Sequence, residues 1–224
     1  MVTLRVYARA GCWTVLLGAI ALWLWGCAVR DSATPAAVPP PIPRINAPPE
    51  WRPGDRWVYD WKLGAQTGTK TVEVLEIREV NEVPYYAVRI GDIVHYYTLD
   101  LQWAGLVRDS RVEARMDPPQ PWFVWPLEVG DRWLHRGVYE EQDEKKEQND
   151  SFAVVTAGAV EVPAGRFSAL KVVREATGSR DSDQYWYAPE VRWYVRWIGR
   201  RGDVQFEERL RGYHPAPRLI PESA

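Results

Sequence analysis

Three histidines, thirty acidic residues and two cysteines are the side chains here equipped for catalysis or metal binding, and their spacing gathers none of them into a site. His95, His135 and His214 stand far apart, with none of the HxxxH or HExxH pairing that puts two imidazoles on one helix face around zinc. Val94-His95-Tyr96 reads as mid-strand, where a half-buried, hydrogen-bonded imidazole is ordinary. His135 follows Trp133-Leu134 in another strand, and His214 lies near the C-terminus. There is no GxSxG elbow and no phosphate-binding glycine loop. The acids are too plentiful for any chosen pair to stand out. A carboxylate-dependent hydrolase of envelope polymers, needing two acids about 5–10 Å apart in one cleft, therefore stays as the alternative reading. The acidic run Glu140–Asp150 (EEQDEKKEQND) is interrupted by lysines and has no glycine at a calcium-loop position, so it reads as a solvated hairpin tip. No catalytic residue, metal site or cofactor is expected.

The aromatic residues carry the one positive signal for binding. Trp122, Phe123 and Trp125 follow Pro118-Pro119-Gln120-Pro121 and precede Pro126. Prolines on both sides rule out a regular central strand. Such a segment is either a rigid loop capping one end of the fold or a platform for sugar rings or acyl chains, and these three residues are the candidate ligand contacts.

Both cysteines, Cys12 and Cys27, fall in the first 27 residues. Everything beyond is free of thiols, so no disulfide, cysteine nucleophile or cysteine zinc site is available there. The N-terminus itself reads as an export signal: Arg5 and Arg9 precede an apolar stretch from Cys12 to Trp25, short for the about 20 apolar residues of a membrane-spanning helix. Leu24-Trp25-Gly26-Cys27 resembles a lipobox, with Leu and Gly at its −3 and −1 positions and Trp25 as a departure at −2. The expectation is a signal peptide over residues 1–26 and a lipid on Cys27, with an uncleaved anchor or a cleaved, soluble periplasmic form as alternatives. Several acyl chains, at roughly 0.8 kcal/mol per buried methylene, hold such a protein on a membrane. Ala28, in place of the aspartate that retains lipoproteins at an inner membrane, favours the outer membrane, facing the periplasm, in a cell with two.

Residues 27–50 form a tether with prolines at 35, 39, 40, 41, 43, 48 and 49. These forbid helix and favour extended polyproline II at about 3.1 Å per residue, enough to hold a domain up to roughly 70 Å from a lipid surface. The globular part is expected over residues 51–214, a size that supports its own core, with a flexible tail at 215–224. A formal net charge of −2 removes the electrostatic basis for nucleic acid as a partner. Thirteen Trp and eleven Tyr suit a β protein with large amphipathic side chains.

Period-two patterning runs through the body. Val191, Trp193, Val195 and Trp197 alternate with Arg192, Tyr194 and Arg196. A turn at residues 199–203 then leads to Val204, Phe206 and Leu210, a terminal hairpin with one apolar and one wet face. Tyr85–Ile90 and Ile93–Leu99 join at Gly91-Asp92. Along Lys70–Val80 the apolar phase shifts near Leu75, which predicts a β-bulge. Gly54-Asp55-Arg56-Trp57 recurs as Gly130-Asp131-Arg132-Trp133, each copy ahead of a strand, with the tryptophan directed to the core. The fold class is all-β: nine to eleven antiparallel strands in a curved sheet, sandwich or barrel-like domain.

PLEVGDRW (126–133), VEVPAGRFSALKVV (160–173) and QYWYAPEV (184–191), in that order, resemble a family of exported bacterial proteins with a β-rich domain of unknown function, sometimes called TapB-like. The resemblance covers about residues 120–213. It implies an open or closed antiparallel barrel and an envelope location, and it brings no site residues. The functional expectation is a membrane-anchored envelope lipoprotein with a non-enzymatic binding or scaffolding domain for an apolar or glycan ligand or a partner protein.

Overall fold

The alternating segments each become a strand. A computed structural model describes residues 44–142 and 144–217. The export signal, Cys12, Cys27, most of the tether and the end of the tail lie outside the described residues. Among those described, the strands are β1 (Arg56–Leu63), β2 (Gln66–Val80), β3 (Val83–Ile90), β4 (Ile93–Thr98), β5 (Gln102–Arg108), β6 (Arg111–Pro121), β7 (Arg132–Glu141), β8 (Glu144–Val162), β9 (Gly165–Ala176), β10 (Ser182–Ala188), β11 (Trp193–Arg201) and β12 (Val204–His214). Each pairs antiparallel with its sequence neighbours, and β12 returns to β1 to close a barrel. Closure satisfies both edges, which an open sheet would leave free to aggregate.

Twelve strands exceed the expected nine to eleven. The acid- and lysine-rich run at 140–150, expected as a solvated hairpin tip, instead lengthens the two strands beside it: β7 extends to Glu141 and β8 starts at Glu144, in register from Glu141↔Glu144 to Arg132↔Ala153. Charge on a strand's outer face does not stop it from pairing. The hairpin at Gly91-Asp92 and the bulge near Leu75 are where the pattern places them, the latter as a register shift between Val74 and Glu76.

In an up-and-down barrel the connections alternate between two ends. The hairpins β1–β2, β3–β4, β5–β6, β7–β8, β9–β10 and β11–β12 share one rim, which is the mouth. The opposite end is closed by the segment before β1, the loop between β6 and β7, and a 3-10 turn at Pro189–Val191. Trp51, Phe123, Leu127 and Val191 from these segments are buried with Trp57, Leu101 and Trp193. Ile45 pairs with Leu127 in an isolated bridge, tying the entering chain to that loop. Trp57 Nε1 donates to the carbonyl of Val191 (2.7 Å) and Trp51 Nε1 to that of Arg192 (3.0 Å), so these two indoles meet their donor requirement inside the protein.

The repeated Gly-Asp-Arg-Trp is a repeated structure. Gly54 and Gly130 take φ of +93° and +102°, a region that favours glycine. Their amides donate to Val74 and Val154, whose own amides donate back to Asp55 and Asp131. The Asp55 and Asp131 carboxylates accept from the backbone of Arg52 (2.8 Å) and Glu128 (2.9 Å). Each partner strand bulges directly afterwards, at Val74/Glu76 and Val154/Thr156. The two copies then differ. Trp57 is buried, whereas Trp133 is half-buried against Phe152 (5.2 Å, 5° between planes) and does not enter the core as expected. Asp55 is fully buried and also accepts from Arg192 Nη2 (2.8 Å) and the Ala216 amide (2.8 Å). Arg192, at φ 59°, further donates to the Glu50 carbonyl (2.6 Å) and to Tyr213 Oη (Nε, 2.7 Å), clamping three segments of the floor.

These twin turns should therefore respond unequally to the same substitution. Asp131→Ala removes a local turn bond and is expected to cost about 1 kcal/mol. Asp55→Ala takes the fully buried carboxylate from the part-buried Arg192 guanidinium and from the Arg52 and Ala216 amides, and is expected to cost roughly 3 kcal/mol. Urea midpoints of the two variants check this, and equal losses would contradict the clamp.

Candidate functional site: a half-open barrel cavity

Above the floor the barrel is hollow, with a cavity of about 610 Å³ that opens at the mouth past Glu141, Glu144, Lys146, Asp181 and Arg201. Its deeper wall is aromatic. Trp122 lies stacked between Tyr185 (5.1 Å, 20°) and Trp193 (5.7 Å, 17°) and touches Trp197 at 5.7 Å. Tyr97 meets Trp122 edge-on at 5.8 Å.

A polar relay fixes the two half-buried indoles. Trp122 Nε1 donates to Gln120 Oε1 (3.0 Å), and Gln120 Nε2 donates to Asp150 (2.6 Å), which also receives Gln148 (2.8 Å). Arg174 bridges Asp150 (2.7 Å) and Asp183 (2.6 Å). Asp183 accepts Trp197 Nε1 (2.9 Å) and pairs with Arg201 (3.1 Å). The chain of contacts runs from one tryptophan to the other through buried charges, and each ring edge is held in place by it. Arg174 Nε, also buried, has no hydrogen-bond partner.

Lys70 enters from β2 and pairs with Glu208 (2.6 Å), its Nζ lying 5.8 Å from the Tyr59 ring centre and 5.6 Å from that of Trp197. Glu208 accepts Tyr194 Oη (2.8 Å), and Tyr59 Oη donates to the Tyr194 carbonyl (2.7 Å). Burial pushes the Tyr59 and Tyr194 phenols well up, with the Glu208 charge adding to it.

His95 lines the cavity from β4, and its Nδ1 accepts the Trp103 indole N–H (3.2 Å). Burial, aided by the Lys70 charge, lowers its pKa to about 4. A nitrogen that accepts carries no hydrogen, so the neutral ring keeps its hydrogen on Nε2. His135, from β7, is buried outside the cavity lining. Its Nε2 lies 3.0 Å from the Pro118 carbonyl, to which it donates, and Nδ1 lies 3.7 Å from Asp150. His214 is exposed at the end of β12. No group of three or more His, Cys, Asp or Glu among the described residues could hold a metal.

Burial opposes the charge on Asp150, but His135, Arg174 and Gln148 outweigh it and hold its pKa at about 2.

Of the three aromatic candidates, the structure brings Trp122 alone to the cavity. Phe123 is buried in the floor against Tyr187 (5.0 Å) and Trp193 (5.7 Å). Trp125 is part-exposed and donates Nε1 to the Asp100 carbonyl (3.2 Å). The segment caps the barrel, as one of its two sequence readings had it.

Strand alternation misplaces two residues of the site. It puts Tyr194 on the wet face, yet Tyr194 is buried in the wall, because β11 shifts register against β10 so that Trp186 faces Arg196 while Tyr187 faces Tyr194. It puts Asp150 in a solvated tip, yet Asp150 is 1% exposed. Lys70, Arg174, Asp183 and Glu208 carried no signal, since a charged residue pointing into a barrel looks like one pointing out.

No known family profile matches the chain, and no curated protein matches its sequence. Among solved structures, the chain is similar to a Parabacteroides distasonis protein described as a lipoprotein, with 11% identity, a TM-score of 0.41, and 77% of this chain and all of that one covered. It is similar to a Bacteroides fragilis protein described as exported with a YmcC-like fold, at 15% identity and TM-score 0.41 over 76% of this chain and 99% of the other. The Escherichia coli hypothetical lipoprotein YmcC follows at 11% identity and TM-score 0.37, over 73% and 85%.

Two pH responses follow. His95 is expected to stay neutral down to a midpoint near 4, against about 6.5 for a free imidazole, which NMR of its ring carbons reads directly. A midpoint above 6 would contradict the buried, indole-bound ring. Asp150 ionises at about 2 in the fold and near 3.9 in an unfolded chain. Its contribution of roughly 2 kcal/mol is then complete above about pH 4 and disappears as pH falls toward 2. Asp150→Asn should lower stability at neutral pH and flatten that acid limb in denaturation curves.

Proposed function

We propose that the chain is a lipid-anchored envelope protein whose barrel is a non-enzymatic binding module, taking its ligand through the mouth into the aromatic cup. The cup itself carries the reading: a cavity closed at one end, open at the other, and lined by rings whose edges are fixed by hydrogen bonds. A few oriented polar groups among aromatic side chains is the usual make-up of a small-ligand site. The lipobox-like Cys27, the proline tether and the resemblance to TapB-like exported proteins support attachment to the envelope, at the outer membrane of a cell with two.

The interior acids favour binding over hydrolysis. Asp150 and Asp183 share Arg174, Glu208 holds Lys70, and Asp150 is kept ionised. A glycosidase needs one carboxyl with a raised pKa to protonate the leaving group.

Radiolabelled palmitate should enter the wild-type protein and fail to enter Cys27→Ser, which should leave the membrane fraction. Labelling of that variant, or retention of both as unprocessed precursor, would overturn the anchor. Titrating the wild-type protein with envelope lipid and glycan fractions should change its tryptophan emission. A silent response to every fraction would overturn the binding module.

A further inference from the structure

The strands opened by the twin turns, β1 and β7, are not equally closed against their outer neighbours, β12 and β6. β12 meets β1 along the whole strand, from Arg56↔His214 to Leu63↔Phe206. β6 meets β7 only from Ala114↔Glu141 to Asp117↔Val138. Beyond Asp117, β6 keeps to β5, with Trp103↔Gln120 and Gln102↔Pro121 paired. Residues 132–137 of β7 are left with a strand partner on the β8 side alone.

The two lips of this seam differ. On β6, Pro118, Pro119 and Pro121 have no N–H to offer. The carbonyls of Pro118 and Pro121 already accept from His135 Nε2 and Trp133 Nε1, each at 3.0 Å. On β7, the Gln142 amide donates across the seam to Glu113 (3.4 Å), so the even-numbered residues direct their backbone groups to it. For Arg132, Leu134 and Arg136 no backbone partner stands there among the described residues.

The side chains of these three residues share the outer face, and all are exposed. Leu134, at 72%, is the most exposed large apolar residue of those described. Arg132 and Arg136 flank it, and neither has an ion-pair partner among the described residues. Their β8 neighbours, Ala153 and Asn149, are uncharged. The nearest acids lie elsewhere: Asp117 and Glu147 stand on either side of Val138, and Glu175 lies behind Ser151. A groove of about 750 Å³ follows the seam, with Asp117 and Pro118 on one side and Leu134, Arg136 and Val138 on the other.

An unpaired strand edge is a template for another extended chain. A second copy fits it badly. Antiparallel pairing about Leu134 would set Arg132 against Arg136 twice, and like charges directly opposite repel. We propose that this edge of β7 takes an extended segment of another protein, with an apolar residue opposite Leu134 and acids opposite Arg132 and Arg136. Backbone bonds to residues 132, 134 and 136 hold the segment, and its acidic, apolar, acidic alternation selects it. The surface is on the outside of the barrel and does not depend on the cup.

The test titrates the full-length protein in detergent with three end-blocked peptides, TETVTET, TKTVTKT and TETPTET, read by calorimetry and amide exchange. TETVTET is expected to bind and to slow exchange of the Leu134 amide. TKTVTKT carries the wrong charge and TETPTET lacks the central N–H, so each is expected to bind roughly tenfold more weakly. Arg132→Glu combined with Arg136→Glu should pass the preference to TKTVTKT. Circular dichroism establishes that this variant is folded. Equal binding of TETVTET and TETPTET would mean charge attraction without strand pairing and overturns the proposal. Binding of no peptide, or an unchanged preference in the double variant, also overturns it. So does a wild-type dimer in sedimentation that Leu134→Asp dissolves, since it would assign the edge to a second copy.

Discussion

A closed ring of twelve strands encloses more space than its own inward side chains can fill, and the rest of this molecule answers to that constraint. Barrel diameter grows with strand number, and about eight strands already give an interior that side chains just fill. Here the floor is closed by the largest side chains and by three segments that are not strands. Trp51, the loop carrying Phe123 and Leu127, and the turn at Pro189–Val191 are drawn over one end and locked by the Trp51 and Trp57 indoles and the Asp55–Arg192 pair. What they leave unfilled is the cup.

The charged residues inside follow from the same geometry. Water reaching a half-open cavity lowers the cost of placing Lys70, Arg174 and Asp183 on the wall, and their pairing removes most of what remains. Such pairs contribute little net stability. Their effect is positional: through Gln120, Asp150, Arg174 and Asp183 the ring planes of Trp122 and Trp197 are set without either indole being fully buried.

Sequence pattern reached the strands, the hairpin at Gly91-Asp92, the bulge near Leu75 and the twin Gly-Asp-Arg-Trp turns, because each is a local event written in adjacent residues. That the Trp122–Trp125 segment is not a regular central strand was legible for the same reason, since prolines stand on both sides, while the choice between cap and platform was not. Closure of β12 on β1 was not legible, as it joins residues more than a hundred positions apart. Nor was the inner wall. Period two tells which residues share a face, and when the inside of a barrel is itself polar, Glu208 and Arg174 resemble surface residues. The register shift beside Val195 then moved Tyr194 inward, a displacement that alternation carried straight through the strand does not register.

The central claim is that the barrel is hollow, open at one end and closed at the other. Cysteine accessibility tests it most directly, in a chain whose described residues contain no thiol. Met116 lines the cavity and Leu127 is sealed in the floor, both being buried. A small methanethiosulfonate reagent should modify Met116→Cys in the folded protein much faster than the protein unfolds, and Leu127→Cys only at the unfolding rate. Unfolding-limited labelling at both positions would mean a filled barrel and would contradict the account.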